Sequence, residues 1–449
     1  MLGVTLLDGS PPRALLRLAL PLLATGALNL ASLLGDRLWV GRLGQEALAS
    51  LAGAHAVWML LFTLTLGLSL ATLAGVARAK GAGESSVAAR VTGQGLLLAL
   101  LLGGAAAALA WPLAQAAQAF LAPDPRVAAG GARYLGVILA GALVQAPLTV
   151  ALFALQAAGE GRAALRVGAV YPLGNLLLTP LALALGGGLL GVALATVAAN
   201  VLALALALPV LRRGLGLRLA DLRPAPLHLA ELLSLAGPRS LEHLIRNGAA
   251  LVVVACLARF GSAALAGYAA ALGLVLLLIH PGLALGQAAA ACVGQSLGAG
   301  RPERAWLSAW WAVGIYAGFM ALAGAALHLA AEPLVVLFDP DPASVRAGAL
   351  LLRTLAPALP LLAAGLVLGK ACGGARRPGL PLLAVVVGQV FVQLPAVVLL
   401  GRQGLAGAFL GVALGYAVQG ALACALFARA LRPTSSPSLP ALRPAGADS

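Results

Sequence analysis

Long apolar runs separated by short polar stretches fill almost the entire chain. Twelve of these runs are about 20 residues or longer, and a helix of that length crosses the roughly 30 Å hydrocarbon core of a bilayer. The runs lack the short alternating segments that are typical of transmembrane strands. The predicted helices centre on residues 15–40, 47–75, 91–119, 130–157, 163–186, 189–211, 231–258, 263–293, 304–331, 346–371, 379–400 and 405–428. The pattern therefore predicts twelve transmembrane helices.

The two halves of the chain repeat the same pattern. Residues 21–83 align without a gap on residues 238–300, 217 positions later, so that Pro21 pairs with Pro238 and Gly44 with Gly261. A repeat of half the chain is too long for a solenoid and is typical of transporters that consist of two similar bundles. We therefore predict an all-α polytopic membrane protein of two pseudo-symmetric six-helix lobes with a cavity between them.

Polar stretches divide the chain into five segments. We predict an N-terminal segment 1–14, a first lobe 15–211, a linker 212–230, a second lobe 231–430 and a tail 431–449. The linker contains the longest polar stretch inside the bundle. The tail is rich in Pro and Ser, and this composition is typical of disorder.

Composition and charge place the chain in a membrane. Hydrophobic residues make up 61% of the chain and charged residues 10%, whereas about a quarter of a soluble protein is charged. The net charge is +15, and most Lys and Arg residues, Lys370 among them, are assigned to loops on the side of the two termini. The positive-inside rule then predicts a multi-pass protein of the inner or plasma membrane with both termini in the cytoplasm. We expect contact with the lipid bilayer and none with nucleic acid.

Three segments resemble the multidrug and toxic compound extrusion (MATE) family. They are NLASLLGDRLWVGRLGQEALA from Asn29, LQAAGEGR from Leu155 and HPGLALGQAAAACVGQSLGAGRPERA from His280. The resemblance covers roughly residues 12–430. It implies a secondary active exporter that exchanges H⁺ or Na⁺ for amphipathic, cationic organic compounds by alternating access. We expect a monomer without a cofactor or a bound catalytic metal.

The sequence departs from the family at its ion sites. Asn175 is followed four residues later by Thr179, where one branch of the family has a second aspartate. Arg246 lies where the NorM-like branch has a glutamate, and residues 347–369 lack the aspartate of that branch. Neither branch's ion site therefore transfers residue by residue.

Two carboxylates fall inside apolar runs, Asp36 in the first and Glu242 in the seventh. An ionisable group at membrane depth is costly, and it is therefore a functional candidate. The resemblance implies that Asp36 is the coupling carboxylate and that Pro21 lets the first helix bend, since proline weakens a helix locally. The alternative for Asp36 is a salt bridge with Arg37 or Arg42.

Glu242 precedes Arg246 by one helical turn, in the order that favours an ion pair. Two interpretations stay open for Glu242: a structural partner of Arg246, or a carboxylate that takes part in coupling or meets a cationic substrate. The candidate residues of the cavity are Asn29, Asn175, Thr179, Arg246 and Asn247. Uncharged polar groups in membranes more often bond to neighbouring helices than to substrate.

The chain contains no catalytic motif in a fitting context. Gly186, Gly188 and Gly191 match a dinucleotide fingerprint as letters, but they lie in a turn between two apolar runs and follow no strand. We therefore predict a transporter and not an enzyme. Two alternatives stay open: a flippase for lipid-linked or polysaccharide substrates, suggested by Arg246, and a membrane scaffold that transports nothing.

Overall fold

The computed structural model of the protein describes residues 6–7, 9–121 and 124–432. These residues form helices and connecting turns, with no strand among them, and twelve helices are long and apolar enough to cross a membrane. The helices are α1 (Pro11–Gly41), α2 (Gln45–Gly81), α3 (Ser85–Ala108), α4 (Pro125–Ala157), α5 (Gly161–Ala184), α6 (Gly188–Leu215), α7 (Pro226–Ala258), α8 (Ser262–Gly298), α9 (Pro302–Leu329), α10 (Pro342–Gly374), α11 (Gly379–Gln403) and α12 (Leu405–Leu431). The prediction of an all-α polytopic fold with twelve membrane helices is confirmed.

Several helix boundaries differ from the predicted ones. The third apolar run forms α3 and a separate helix, Ala110–Leu121. α10 contains a 3-10 turn at Ala356–Ala358, and α11 contains a π-helical stretch at Val386–Gln393. These interruptions leave the order and number of membrane helices unchanged.

The connection between the halves is shorter than the predicted linker 212–230. α6 continues to Leu215, α7 begins at Pro226, and a 3-10 turn at Leu219–Leu222 lies between them. Gln94 of α3 bonds to this connection through both ends of its side-chain amide. Of the predicted tail 431–449, only the first two positions lie within the described residues.

The backbone repeats between the halves in the same places as the sequence. Gly44 precedes α2 and Gly261 precedes α8, and both have positive φ angles, 107° and 93°. Glycine adopts such angles without the steric cost that a side chain brings. Asp124 and Asp341 cap α4 and α10 through side-chain oxygens that accept backbone N–H bonds. The halves, α1–α6 and α7–α12, therefore share one chain path.

The halves contact each other through α2, which packs against α7 and α8, and through α1, which packs against α8. The closest approach lies at the terminal face, the end of the bundle where α1 begins and α2, α8 and α12 end. A Cβ atom added at Gly81 would overlap the backbone of Gln295, and one added at Gly298 would overlap the carbonyl oxygen of Arg78. Small residues allow this approach of two helix backbones. The terminal face is therefore closed.

Hydrogen bonds reinforce the closed terminal face. Gln295 of α8 donates to the carbonyl oxygen of Ala157 at the end of α4, at 2.7 Å, and accepts from the backbone N–H of Leu6 at 3.2 Å. Arg304 of α9 donates to the carbonyl oxygens of Leu6 and Gly9 at 3.0 and 2.9 Å. Residues of the C-terminal half thereby hold Leu6 and Gly9, which precede α1, and the end of α4.

Substitution of Gly298 by Ala tests this contact. We expect the variant to lose about 1–3 kcal/mol of stability, because the added methyl group overlaps backbone atoms that cannot rotate away. The matched control is Gly318→Ala on α9, where an added Cβ has no heavy atom within 4 Å. Thermal unfolding of the purified variants in detergent micelles compares them, and equal midpoints for both would contradict a tightly closed face.

Candidate functional site

An acidic site lies where α1, α5 and α6 meet. We call it the Asp36 site; it consists of Asp36 and Ser32 of α1, Asn175 and Thr179 of α5, and Thr196 of α6. Ser32 and Asp36 are four residues apart, as are Asn175 and Thr179, so each pair lies on one face of its helix. The structure thus brings together three of the residues predicted from the sequence: Asp36, Asn175 and Thr179.

Neutral donors hold the Asp36 carboxylate. The side-chain nitrogen of Asn175 lies 2.9 and 2.8 Å from the two carboxylate oxygens of Asp36 and 3.0 Å from the hydroxyl of Ser32. Thr179 donates its hydroxyl to the same carboxylate at 3.2 Å, and Thr196 lies 3.1 Å from the side-chain oxygen of Asn175. Asn175 and Thr179 are fully buried, whereas Asp36 is half-buried. The carboxylate is therefore fixed in position and still partly accessible.

No basic residue neutralises Asp36 within the part of the chain that the structure describes. The alternative salt bridge with Arg37 or Arg42 does not form there, and Arg42 instead lies over the ring of Trp39, 4.5 Å from its centroid. Hydrogen bonds stabilise a carboxylate without cancelling its charge. The Asp36 site is therefore chemically suited to take a proton or a small cation.

Close packing of α1 against α5 forms this site. A Cβ atom added at Gly35 would lie 2.8 Å from the side chain of Leu176, so glycine next to Asp36 allows α5 to approach. α1 continues as one helix through Pro21, and the hydroxyl of Thr25 donates a 3.1 Å hydrogen bond to the carbonyl oxygen of Pro21, one turn earlier. The predicted bend at Pro21 stays a prediction.

A second charged group lies in the C-terminal half. We call it the basic cluster; it consists of Arg239, Glu242 and Arg246 of α7 and Lys370 of α10, which directly follows the residue whose carbonyl oxygen accepts a bond from Arg239. Arg239 pairs with one carboxylate oxygen of Glu242 at 2.7 Å, and Arg246 pairs with the other at 3.3 Å. Because guanidinium groups occupy both oxygens, these contacts favour the ion-pair interpretation of Glu242 over a role in coupling.

Lys370 occupies a different place from the one assigned to it by the charge pattern. The charge pattern assigned Lys370 to the loop that follows the tenth predicted helix, whereas the structure places it inside α10, where it is 7% exposed. α10 extends to Gly374 and packs against α8, and the Lys370 side chain passes over Gly286 of α8. Packing between helices, which no sequence pattern reports, therefore buries this lysine.

The remaining predicted residues join neither site. Asn29 is exposed and Asn247 is half-buried, and neither forms a hydrogen bond with another described residue. Sequence reasoning missed Ser32 and Thr196 of the Asp36 site. The spacing of Ser32, one turn before Asp36, was a usable signal, whereas nothing in the sequence connects Thr196 to the first helix.

A duplicated bundle of twelve membrane helices with a buried acidic site defines a membrane transporter. The family model named MatE matches residues 21–181 and 238–399, one match in each half. A solved structure described as the outward-facing conformation of a multidrug resistance MATE family transporter of the MOP superfamily has a TM-score of 0.90. It is 25% identical, and the alignment covers 97% of this chain and 99% of that chain. The chain belongs to the MATE family of multidrug efflux transporters.

Curated relatives agree with this assignment. A probable multidrug resistance protein NorM of Deinococcus radiodurans is 32% identical over 65% of this chain, and the match spans 66% of that relative's length. A FAD transporter of Shewanella oneidensis is 27% identical, with coverage of 75% of this chain and 76% of the relative. The family consists of transporters, which need no cofactor, and not of enzymes.

A double-mutant cycle tests the contact between Asn175 and Asp36. Asn175→Ala should cost about 1–3 kcal/mol in the native background, because it leaves a half-buried carboxylate without its main donor. The cost should be smaller when Asp36 is already Asn, since the charge is then absent. Thermal unfolding in detergent measures each variant, and Asn29→Ala, which removes an exposed amide, serves as the control. Equal costs in both backgrounds would mean that the two side chains do not interact.

Proposed function

We propose that the chain is an exporter that exchanges H⁺ or Na⁺ for amphipathic organic compounds and that Asp36 couples the two movements. The observation that carries the proposal is a partly accessible carboxylate held by neutral donors and paired with no cation among the described residues. An ionisable group at membrane depth is costly unless it is paired or faces a water-filled cavity, and such groups commonly mark ion pathways and proton relays. Asp36 is the carboxylate in this chain that meets that description best.

The position of α1 supports a coupling role for Asp36. α1 packs against α5 of its own half and against α8 of the other half. A proton or Na⁺ bound at Asp36 changes the charge on α1, which belongs to the N-terminal half and also packs against the C-terminal half. Coupling then requires that the ion and the exported compound differ in affinity for the two conformations of the transporter. The ion would favour the state that releases the compound outside.

The distribution of Lys and Arg between the loops at the two ends of the bundle supports a direction of transport. The excess of Lys and Arg in the loops of the terminal face supports a cytoplasmic location for both termini, in an inner or plasma membrane. Because the terminal face is closed, the described conformation corresponds in our proposal to the outward-facing state of the cycle. One chain contains both halves of the cavity, so a monomer is sufficient for transport.

The expected substrates are amphipathic and cationic, as the family resemblance implies. A cationic compound and a coupling ion would compete for the single unpaired carboxylate of the Asp36 site, and this competition provides a direct mechanism of exchange. A second candidate function is flipping of lipid-linked or polysaccharide substrates. It is favoured by one observation, the excess of positive charge in the basic cluster.

Dye efflux from proteoliposomes tests the proposal. We expect efflux of a cationic dye under an imposed H⁺ or Na⁺ gradient, and the gradient that drives it identifies the coupling ion. Asp36→Asn should reduce gradient-driven efflux by about tenfold or more, within the range of typical coupling energies.

Asp339→Asn is the matched control, because that aspartate lies near the start of α10 and only accepts a bond from the backbone of Asp341. Efflux that Asp36→Asn leaves intact would exclude Asp36 as the coupling group. No efflux of wild-type protein under either gradient would shift the assignment to the flippase.

A further inference from the structure

We propose that the basic cluster binds the phosphate group of an amphipathic substrate. The transporter would then carry an anion site in its C-terminal half as well as the acidic Asp36 site in its N-terminal half. This inference rests on the proposed transport function only in naming the ligand as a substrate. It extends the range of substrates from cationic compounds to compounds that carry a phosphate.

The basic cluster contains more positive than negative side chains. The basic cluster contains three cationic side chains, Arg239, Arg246 and Lys370, and one anionic side chain, Glu242. Positive charge is thus in excess within the helices, where an unpaired charge is unfavourable. A bound anion would restore neutrality.

Two buried hydrogen-bond donors of the basic cluster have no acceptor among the described residues. The Nε atom of Arg239 is buried and makes no hydrogen bond, although Arg239 is only 3% exposed. Lys370 forms no ion pair and no hydrogen bond with any residue in the described ranges. Native proteins rarely leave such buried donors without partners. The ammonium of Lys370 is therefore a donor that no described residue uses, whereas the Nε atom of Arg239 is enclosed by protein atoms.

The members of the basic cluster differ in their exposure. Arg246 is 25% exposed and is the member of the cluster that a ligand can contact from outside, whereas Arg239 and Lys370 are buried.

The chemistry of these side chains favours phosphate. A guanidinium group binds two phosphate oxygens in parallel, and an ammonium group acts as a point charge toward a third. A phosphate carries more than one negative charge near neutral pH, whereas a carboxylate carries one charge on two oxygens. The phosphate therefore matches both the number of donors and the excess charge.

The surrounding glycines place the cations. A Cβ atom added at Gly373 would overlap the guanidinium of Arg239, and one added at Gly286 would lie 2.8 Å from the Cδ atom of Lys370. Arg239 also donates to the carbonyl oxygen of Gly369. These contacts hold the two buried cations in position before a ligand arrives, so binding requires little rearrangement.

Equilibrium binding to the full chain in detergent micelles, in a buffer free of phosphate, tests the proposal. The probes are 1-naphthyl phosphate and 1-naphthol, which differ only in the phosphate group. We expect the phosphate to bind at least about tenfold more tightly, a difference that charge-assisted hydrogen bonds commonly produce. Lys370→Met and Arg246→Met should each remove about tenfold or more of that affinity and leave the binding of 1-naphthol unchanged.

Two substitutions serve as controls for the loss of charge. Lys80→Met changes the only other lysine of the chain, and Arg353→Met changes an exposed arginine that pairs with Glu332. Both should bind 1-naphthyl phosphate as the wild type does. Thermal unfolding provides a second readout: Lys370→Met should unfold at the same temperature as the wild type or higher, because it removes a buried charge without a partner.

The outcomes separate the possible ligands. Equal binding of the two probes, unchanged phosphate binding by Lys370→Met, or earlier unfolding of that variant would each overturn the proposal. Preference for lysophosphatidic acid over 1-naphthyl phosphate would assign the site to lipid phosphates, and the reverse preference to soluble ones. Binding of inorganic phosphate without any preference for amphipathic phosphates would exclude a substrate site. The measurement uses no ion gradient, so a failure of coupled efflux would not affect it.

Discussion

The hydrocarbon core of a bilayer offers no hydrogen-bond partner, so the polar groups of the membrane helices must find their partners within the protein. Backbone groups do so by forming helices, and most polar side chains do so by bonding to a neighbouring helix or to a carbonyl oxygen one turn away. Thr72 and Thr92, for example, donate to the carbonyl oxygens of Leu68 and Ala88. The carboxylate of Asp36 and the ammonium of Lys370 lie inside membrane helices and form no ion pair with a described residue, and they mark the two candidate sites.

The two halves share a chain path but not a charge pattern. In the gap-free alignment of the repeat, Asp36 of α1 corresponds to Val253 of α7, and Glu242 and Arg246 of α7 correspond to Thr25 and Asn29 of α1. The same helix thus carries an acid in one half and a mainly basic group in the other. After duplication, a fold can keep its packing while the few polar positions at membrane depth diverge, since function resides in the site and not in the fold.

The contacts between the halves connect these sites to the closed terminal face. α1 carries Asp36 and packs against α8, while α7 carries most of the basic cluster and packs against α2. The glycines at the ends of α2 and α8 allow the two backbones to touch at the terminal face, because a side chain at either position would overlap the other helix. A change of charge on α1 or α7 therefore acts on helices that form the interface between the halves, and this arrangement suits a transporter that moves its halves against each other.

Hydrophobic pattern, repeat and motifs predicted much of this architecture. The length of each apolar run alone required helices, and the offset of 217 residues predicted the paired turns at Gly44 and Gly261. Two of the five candidate cavity residues, Asn175 and Thr179, are in contact with Asp36. Spacing along one helix is a local property, and for this reason a pair four residues apart can be predicted without a structure.

By itself, the sequence determined the class of fold, the duplication and the helix that carries each carboxylate. Only the tertiary structure decided which charges meet. In the structure, Thr196 of α6 lies beside Asn175, and Asp36 has no basic partner among the described residues. Lys370, which was predicted to lie in a loop, is buried in the packed end of α10. The physical reason is that an ion pair or an unpaired charge depends on distances between helices far apart in sequence, and these follow from side-chain packing that no linear pattern encodes.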